Sequence, residues 1–251
     1  MLRFDKISNW PRTIIIAHRG AGHAGPSPST HENTIEAFNT AITLGANAIE
    51  LDLRRTRNGI IVVHHDAAIK GMKWPIGESP VETAKNAAEE KGYAVPTFQE
   101  MLEFCAGKIA LDIELKETGY EDEVVEITKK YYDLANIAFT SFHDISIKRI
   151  KESTPQAITG LLLGDEPPAG IEKGINEVFP RKKIKACRPD FIAPNWRFLK
   201  WLGRGRKKYG GLPVISWTIN DFTFAERLIQ SGIAGIISDS PERLLPLAEK
   251  G

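Results

Sequence analysis

Two short stretches of this chain carry acids where buried strands usually carry only apolar side chains. In residues 48–53, Ile49, Leu51 and Leu53 alternate with Glu50 and Asp52; in residues 111–116, Leu111, Ile113 and Leu115 alternate with Asp112, Glu114 and Lys116. A period of two marks a strand with unlike faces. If the two strands lie near one another, Glu50, Asp52 and Glu114 converge. Two carboxylates ~4 Å apart repel by ~4 kcal/mol at an effective dielectric of ~20, so three would cost roughly 10 kcal/mol if all stayed ionised without a counter-charge. They must take up protons or hold a cation. Oxygen ligands suit a hard divalent ion, Mg²⁺ or Ca²⁺. Zinc is disfavoured, because the two cysteines, Cys105 and Cys187, lack the spacing of a zinc site.

Two further runs end in histidine. Residues 14–17 lead into His18-Arg19-Gly20, and residues 60–64 lead into His65. Two imidazoles suit paired general acid and base work near neutral pH. An arginine beside a metal suits an anionic group, phosphate above all. Phosphoryl chemistry is the expectation.

Something must bring these residues together. Short apolar runs recur near residues 14–17, 48–53, 109–115, 137–140, 158–163, 191–193, 214–217 and 235–237. Amphipathic, helix-length stretches separate most of them, and Thr97-Phe98-Gln99-Glu100 reads as a capping box. Alternating strands and helices argue for a parallel sheet. Eight strands in ~250 residues favour a TIM (β/α)8 barrel over an open doubly wound sheet. In such a barrel, polar residues at the C-terminal ends of strands read as catalytic.

One segment breaks the alternation. Residues 54–59 are too few for a crossover helix, and Asn58-Gly59 is the preferred two-residue hairpin turn. With Arg57 and Ile60 flanking that turn, the register sets His65 opposite Asp52 and puts His64 on the other face. Residues 67–95 form a second excursion, long for a loop, and read as a lid or a small helical insertion.

Composition agrees with a soluble, single-domain protein. The 251 residues are 42% hydrophobic and 26% charged, with a net charge of +1, which suits one globular domain spanning 1–251. That balance argues against broad nucleic-acid binding. No apolar run nears the ~18–20 residues that span a bilayer, and residues 1–12 lack a signal-peptide core. A cytoplasmic location is expected. The sequence is silent on oligomeric state.

The ordered set of motifs resembles the glycerophosphodiester phosphodiesterases. It comprises His18-Arg19-Gly20, Glu32-Asn33-Thr34, Glu50-Leu51-Asp52-Leu53, Asn58-Gly59, His65-Asp66, Pro96-Thr97, Ile113-Glu114-Leu115-Lys116, Ser141-Phe142, Trp217-Thr218-Ile219-Asn220 and residues 235–241. The resemblance implies a barrel enzyme that hydrolyses glycerophosphodiesters, as small-molecule substrates, to glycerol 3-phosphate and an alcohol. It implies a metal site at Glu50, Asp52 and Glu114, catalytic histidines at His18 and His65, and a phosphate-binding Arg19. It places Lys116 and Trp217 along the substrate pocket and Glu32 in the loop after the first strand. Residues 67–72 and His31 depart from the usual pattern, which bears on head-group preference.

Two other readings compete. A phospholipase-type enzyme acting on phospholipids or lysophospholipids would need a rim such as Met72 and Trp74. An inactive binding protein would have lost a ligand or a histidine, and none is missing. Asp112 faces inward but deeper, where an ion pair with Lys116 or Arg19 and a catalytic role are both open. Asp66 could orient a histidine or cap a turn.

Overall fold

The computed structural model describes residues 2–4, 12–21, 30–164, 180–202 and 209–250. Eight parallel strands form the barrel: β1 (Ile14–Ala17), β2 (Ala48–Arg55), β4 (Ala110–Leu115), β5 (Ile137–Ser141), β6 (Ile158–Leu163), β7 (Phe191–Pro194), β8 (Ile215–Ser216) and β9 (Gly235–Ser238). Their order is β7-β6-β5-β4-β2-β1-β9-β8. Single parallel bridges, Ile192 to Val214 and Asn195 to Trp217, bring β8 back to β7 and nearly close the ring. The remaining strand, β3 (Ile61–Val63), pairs antiparallel with β2 outside the ring.

Alternation sorts the side chains as expected. Ile49, Leu51, Leu53, Leu111, Ile113 and Leu115 pack outward against Phe38, Phe98, Met101, Leu102 and Val124 of the surrounding helices. The opposite parity points into the barrel. Ile14, Ile16, Ala48, Ala110, Ala138, Leu162, Phe191 and Ile237 fill its lower part, with Leu2 and Phe4 among them. Small residues on three neighbouring strands leave room for the larger rings. The acids of β2 and β4 continue the same inward face above this apolar floor.

The hairpin differs from the expected register. β3 pairs Leu53 with Val63, Arg54 with Val62 and Arg55 with Ile61, one residue away from the predicted alignment. The loop has three residues rather than two. Thr56 N–H donates to Ile60 O (2.9 Å), Gly59 N–H donates to Thr56 O (3.0 Å), and Gly59 takes a positive φ of 83°. That is the hairpin of a turn followed by a left-handed glycine, which adds one residue and shifts every pair beyond it. His64, not His65, therefore sits across from Asp52, its N–H donating to Asp52 O (2.9 Å).

Other boundaries also moved. The helix-length stretch that follows residues 191–193 is helical over Trp196–Leu202, and residues 203–208 lie outside the described residues. Two further helices are Val81–Glu89 and Arg181–Cys187, of which the second was not expected from the sequence. The first lies in the 67–95 excursion, where Ile69, Ile76, Val81, Ala84, Ala88 and Val95 pack on Val62 as a small separate cluster. Helix Phe98–Cys105 starts at Thr97 with the full reciprocal capping box.

One contact inside the barrel tests this packing. A Cβ on Gly160 would lie 2.3 Å from the Phe191 ring of the adjacent strand. Gly160→Ala is expected to cost about 1–3 kcal/mol of stability through overpacking. Adding Phe191→Leu should restore part of it; thermal denaturation of the single and double variants checks both.

Candidate active site

The parallel register of β2 and β4 sets Glu50 beside Asp112 and Asp52 beside Glu114. All four are buried. One carboxylate oxygen from each of Glu50, Asp52 and Glu114 lies within 4.8 Å of the others. Burial, then Asp52 and Glu114, push Glu50 well above the usual carboxylate range. Burial alone would raise Asp52 too, but Lys116 and Arg19 overcome it and hold that acid at about 2. Asp52 Oδ1 is buried and accepts no hydrogen bond among the described residues. An oxygen-only donor set, an acid strained by its neighbours and a buried unbonded oxygen together fit a hard divalent cation.

Arg19 is fixed by a corner after β1. His18–Gly20 form one 3-10 turn in which Arg19, Gly20 and Ala21 all take positive φ, 50°, 82° and 57°. A Cβ on Gly20 would meet Phe38 at 2.6 Å and the Ala37 carbonyl carbon at 2.9 Å, so the chain closes tightly onto helix Ile35–Thr43. Backbone strain of this kind concentrates at functional sites. The corner aims Arg19 N–H at Glu50 Oε2 (3.0 Å) and Arg19 Nε at Asp52 Oδ2 (3.3 Å). Arg19 Nη1 donates to Glu32 Oε1 (2.7 Å), so Glu32 holds the guanidinium.

The two histidines are oriented by their own acids. His65 Nδ1 lies 2.8 Å from Asp66 Oδ1, and Arg54 Nε donates to His65 O (2.7 Å). The ladder ends with His64, so this anchored bend carries His65 to the pocket despite the shifted register. Burial lowers its pKa. His18 Nδ1 lies 2.6 Å from Asp239 Oδ1. A carboxylate only accepts, so Nδ1 carries the proton in each pair and Nε2 is left for chemistry. His18 Nε2 is 3.9 Å from Glu50 Oε2.

His18, Arg19, Glu50, His65, Glu114, Lys116 and Trp217 thus line one pocket at the C-terminal end of the strands, with Asp112 and Thr140 also in its wall. Trp217 donates Nε1–H to Ala193 O (2.8 Å) and meets Phe142 edge-on at 5.6 Å between centroids. Lys116 Nζ lies 2.7 Å from Glu114 Oε1 and 3.4 Å from Asp52 Oδ1.

A family model described as the glycerophosphoryl diester phosphodiesterase family matches residues 18–243. The chain belongs to this family. It is an enzyme, a glycerophosphodiester phosphodiesterase. A protein of that name from Caldanaerobacter subterraneus is 30% identical over 96% of this chain and 99% of its own. A glycerophosphodiester phosphodiesterase structure from Thermotoga maritima is 29% identical, covers 94% of this chain and 98% of its own, and has a TM-score of 0.71. An Oleispira antarctica phosphodiesterase structure, in complex with the product sn-glycerol-3-phosphate, is 22% identical with a TM-score of 0.76 over 96% and 99% of the two chains.

Several neighbours of this phosphodiesterase site escaped the sequence reading. Asn33, at φ 58°, donates Nδ2–H to Asp52 Oδ2 (2.8 Å) and accepts from Asp52 N–H (3.3 Å). Asp239 is braced by Asn220, whose Nδ2 donates to Asp239 Oδ2 (2.6 Å) and whose Oδ1 accepts from Asp239 N–H (3.0 Å). Both residues stood within the recognised motifs. The signal for Asp239 was available once β1 and β9 were taken as neighbours, because Ala17 pairs with Ser238.

The remaining candidates stand elsewhere. Asp112 forms no ion pair with Lys116 or Arg19 among the described residues; Thr140 Oγ1 donates to its Oδ1 (2.9 Å), and burial pushes it up to about 7. His64 is buried, which pushes it down to about 4. His31 stacks on Tyr93 at 3.5 Å, and His143 Nε2 lies 3.2 Å from Lys116 O. His23 lies outside the described residues.

Two substitutions probe this shell. Asn33→Gly keeps the left-handed backbone but removes the Asp52 clamp; divalent-ion affinity by calorimetry should fall ~10–100-fold. Asp239→Asn keeps the Asn220 brace in shape but removes the charge on His18. The turnover number should drop at least ~10-fold, within the ~10²–10⁴-fold that an acid or base contributes, with little change in melting temperature.

Proposed function

We propose that this phosphodiesterase hydrolyses glycerophosphodiesters to glycerol 3-phosphate and an alcohol, with Glu50, Asp52 and Glu114 holding one divalent ion, Mg²⁺ or Ca²⁺. The observation that carries the reading is the cluster of three buried carboxylates, two of which, Glu50 and Glu114, line one pocket with two acid-oriented histidines and a clamped arginine. A bound ion there supplies Lewis-acid stabilisation of charge on the phosphoryl oxygens.

The chain's own residues supply the rest. Arg19, held by Glu32, grips the phosphodiester anion as a planar fork. Lys116 adds a second positive charge on the β4 side. Of the two histidine Nε2 atoms, one accepts a proton from the attacking oxygen, either a water or the substrate's glycerol 2-hydroxyl, whose cyclic phosphate a water then opens, and the other donates a proton to the departing alcohol oxygen. As the P–O bond to the nucleophile forms, the P–O bond to the leaving alcohol breaks, and the pair ends with its protons exchanged. Asp66 and Asp239 fix ring orientation and stabilise the imidazolium form of their partners. The aromatic edge of Trp217 and Phe142 walls the pocket against water on the β5 and β8 side. The product found with the Oleispira antarctica relative supports glycerol 3-phosphate as the phosphate product.

The test is release of glycerol 3-phosphate from glycerophosphocholine, before and after EDTA, then with Mg²⁺ or Ca²⁺ restored. Release should vanish with EDTA and return with an ion. His18→Ala and His65→Ala should each lower it at least ~10²-fold. Release that survives full chelation would overturn the metal role. No release from any simple glycerophosphodiester would overturn the substrate class.

A further inference from the structure

We propose that Lys116 is the internal counter-ion of the carboxylate cage and exchanges with the divalent ion. Its ammonium neutralises the cage while the ion is away and turns to the substrate phosphate when the ion enters. This rests on the reading above that Glu50, Asp52 and Glu114 hold such an ion.

The geometry points to competition for the same atoms. Lys116 Nζ touches Glu114 Oε1 at 2.7 Å and Asp52 Oδ1 at 3.4 Å, and those two residues are two of the three cage acids. The side chain is only 9% exposed, so the ammonium occupies the cage rather than reaching it from solvent. An ion drawing oxygens from both acids needs the space and the charge that Nζ now supplies.

Arg19 also contacts Asp52, but through the other oxygen, Oδ2, and its fork is tied to Glu32. Lys116 has no such outside tether: among the described residues its ion partners are the two cage acids. Its backbone is held by a hydrogen bond from its N–H to Leu53 O (3.3 Å), while the four-carbon stem is free to turn. The Phe142 ring, with its centroid 5.8 Å from Nζ, offers the displaced ammonium a face on the pocket side.

Charge bookkeeping gives the exchange a direction. With all three carboxylates ionised, the cage sets three negative charges against Lys116 and Arg19, and Arg19 is shared with Glu32; a divalent ion shifts that balance by two positive charges, toward a phosphodiester monoanion. The ion would therefore prepare the anion site through Lys116, and an EDTA-treated enzyme would bind phosphate products poorly.

The sign of one substitution separates this from a supporting role. A lysine that merely orients Glu114 would weaken ion binding when lost. A lysine that competes would strengthen it. Calorimetric titration of Mg²⁺ and Ca²⁺ into chelator-stripped wild type and Lys116→Met, without substrate, should show about tenfold or tighter binding in the variant. The stripped variant should also melt below stripped wild type, and the ion should close that gap.

A second measurement uses the unaltered chain. Brief acetylation followed by mass spectrometry should find Lys116 protected in the stripped protein and labelled several-fold more after ion addition. Equal or weaker ion binding by Lys116→Met, or labelling of Lys116 that fails to rise with the ion, overturns the exchange. If the variant does not fold, the labelling result decides alone. If no divalent ion binds wild type, the metal reading itself falls and takes the exchange with it; ion binding without the predicted sign removes the exchange only.

Discussion

The arrangement depends on one register. Because β2 and β4 pair in parallel with Asp52 beside Glu114 and Glu50 beside Asp112, four acids enter the barrel at two adjacent levels. A barrel interior is ordinarily filled by branched apolar side chains, and this one is so filled below that level. Above it, the fold has to supply positive charge or leave acids protonated. It does both. Arg19 and Lys116 hold Asp52 ionised, while burial and mutual repulsion raise Glu50 and Asp112. The cage is therefore electrostatically unfinished, and its three clustered carboxylates could hold a metal ion.

The cations are unequal in how they are held. Arg19 sits on a strained left-handed corner packed onto Phe38 and Ala37, with Glu32 gripping its fork. The same short loop sends Asn33 to clamp Asp52 and ends in Thr34, which caps the following helix by accepting a hydrogen bond from Ala37 N–H. Helix start, the Asp52 clamp and the Arg19 grip are thus one piece of backbone. A change anywhere in residues 30–34 reaches all three.

The histidines show two ways of reaching the same chemistry. His65 takes its orienting acid from the next residue, Asp66. His18 takes its acid from Asp239, 221 residues away, across the seam between the first and last strands. Closing the barrel is what completes the His18 pair, so its ring orientation depends on the whole fold more than that of His65 does. The segment after His65 packs as its own small cluster on β3, apart from either pair.

Much of this could be read without coordinates. Alternation in residues 48–53 and 111–116 determined which acids share a face, because side chains in a strand alternate whatever their neighbours are. Turn and cap chemistry located the hairpin and the helix at Thr97 for the same local reason. What the sequence could not determine was set by contacts between distant segments. The hairpin loop took three residues instead of two, which shifted His64 onto the Asp52 row, and only the anchoring of His65 O by Arg54 restored His65 to the pocket. Asp239 and Asn33 acquired their partners through strand neighbours and a loop return. The partner of Asp112 was decided by distance: Lys116 reached Glu114, and Asp112 accepts from Thr140 instead. Periodicity is a property of the backbone and survives in one dimension. The choice of partner for a buried charge depends on which other charges the folded chain brings within a few ångströms, and that is decided only in three.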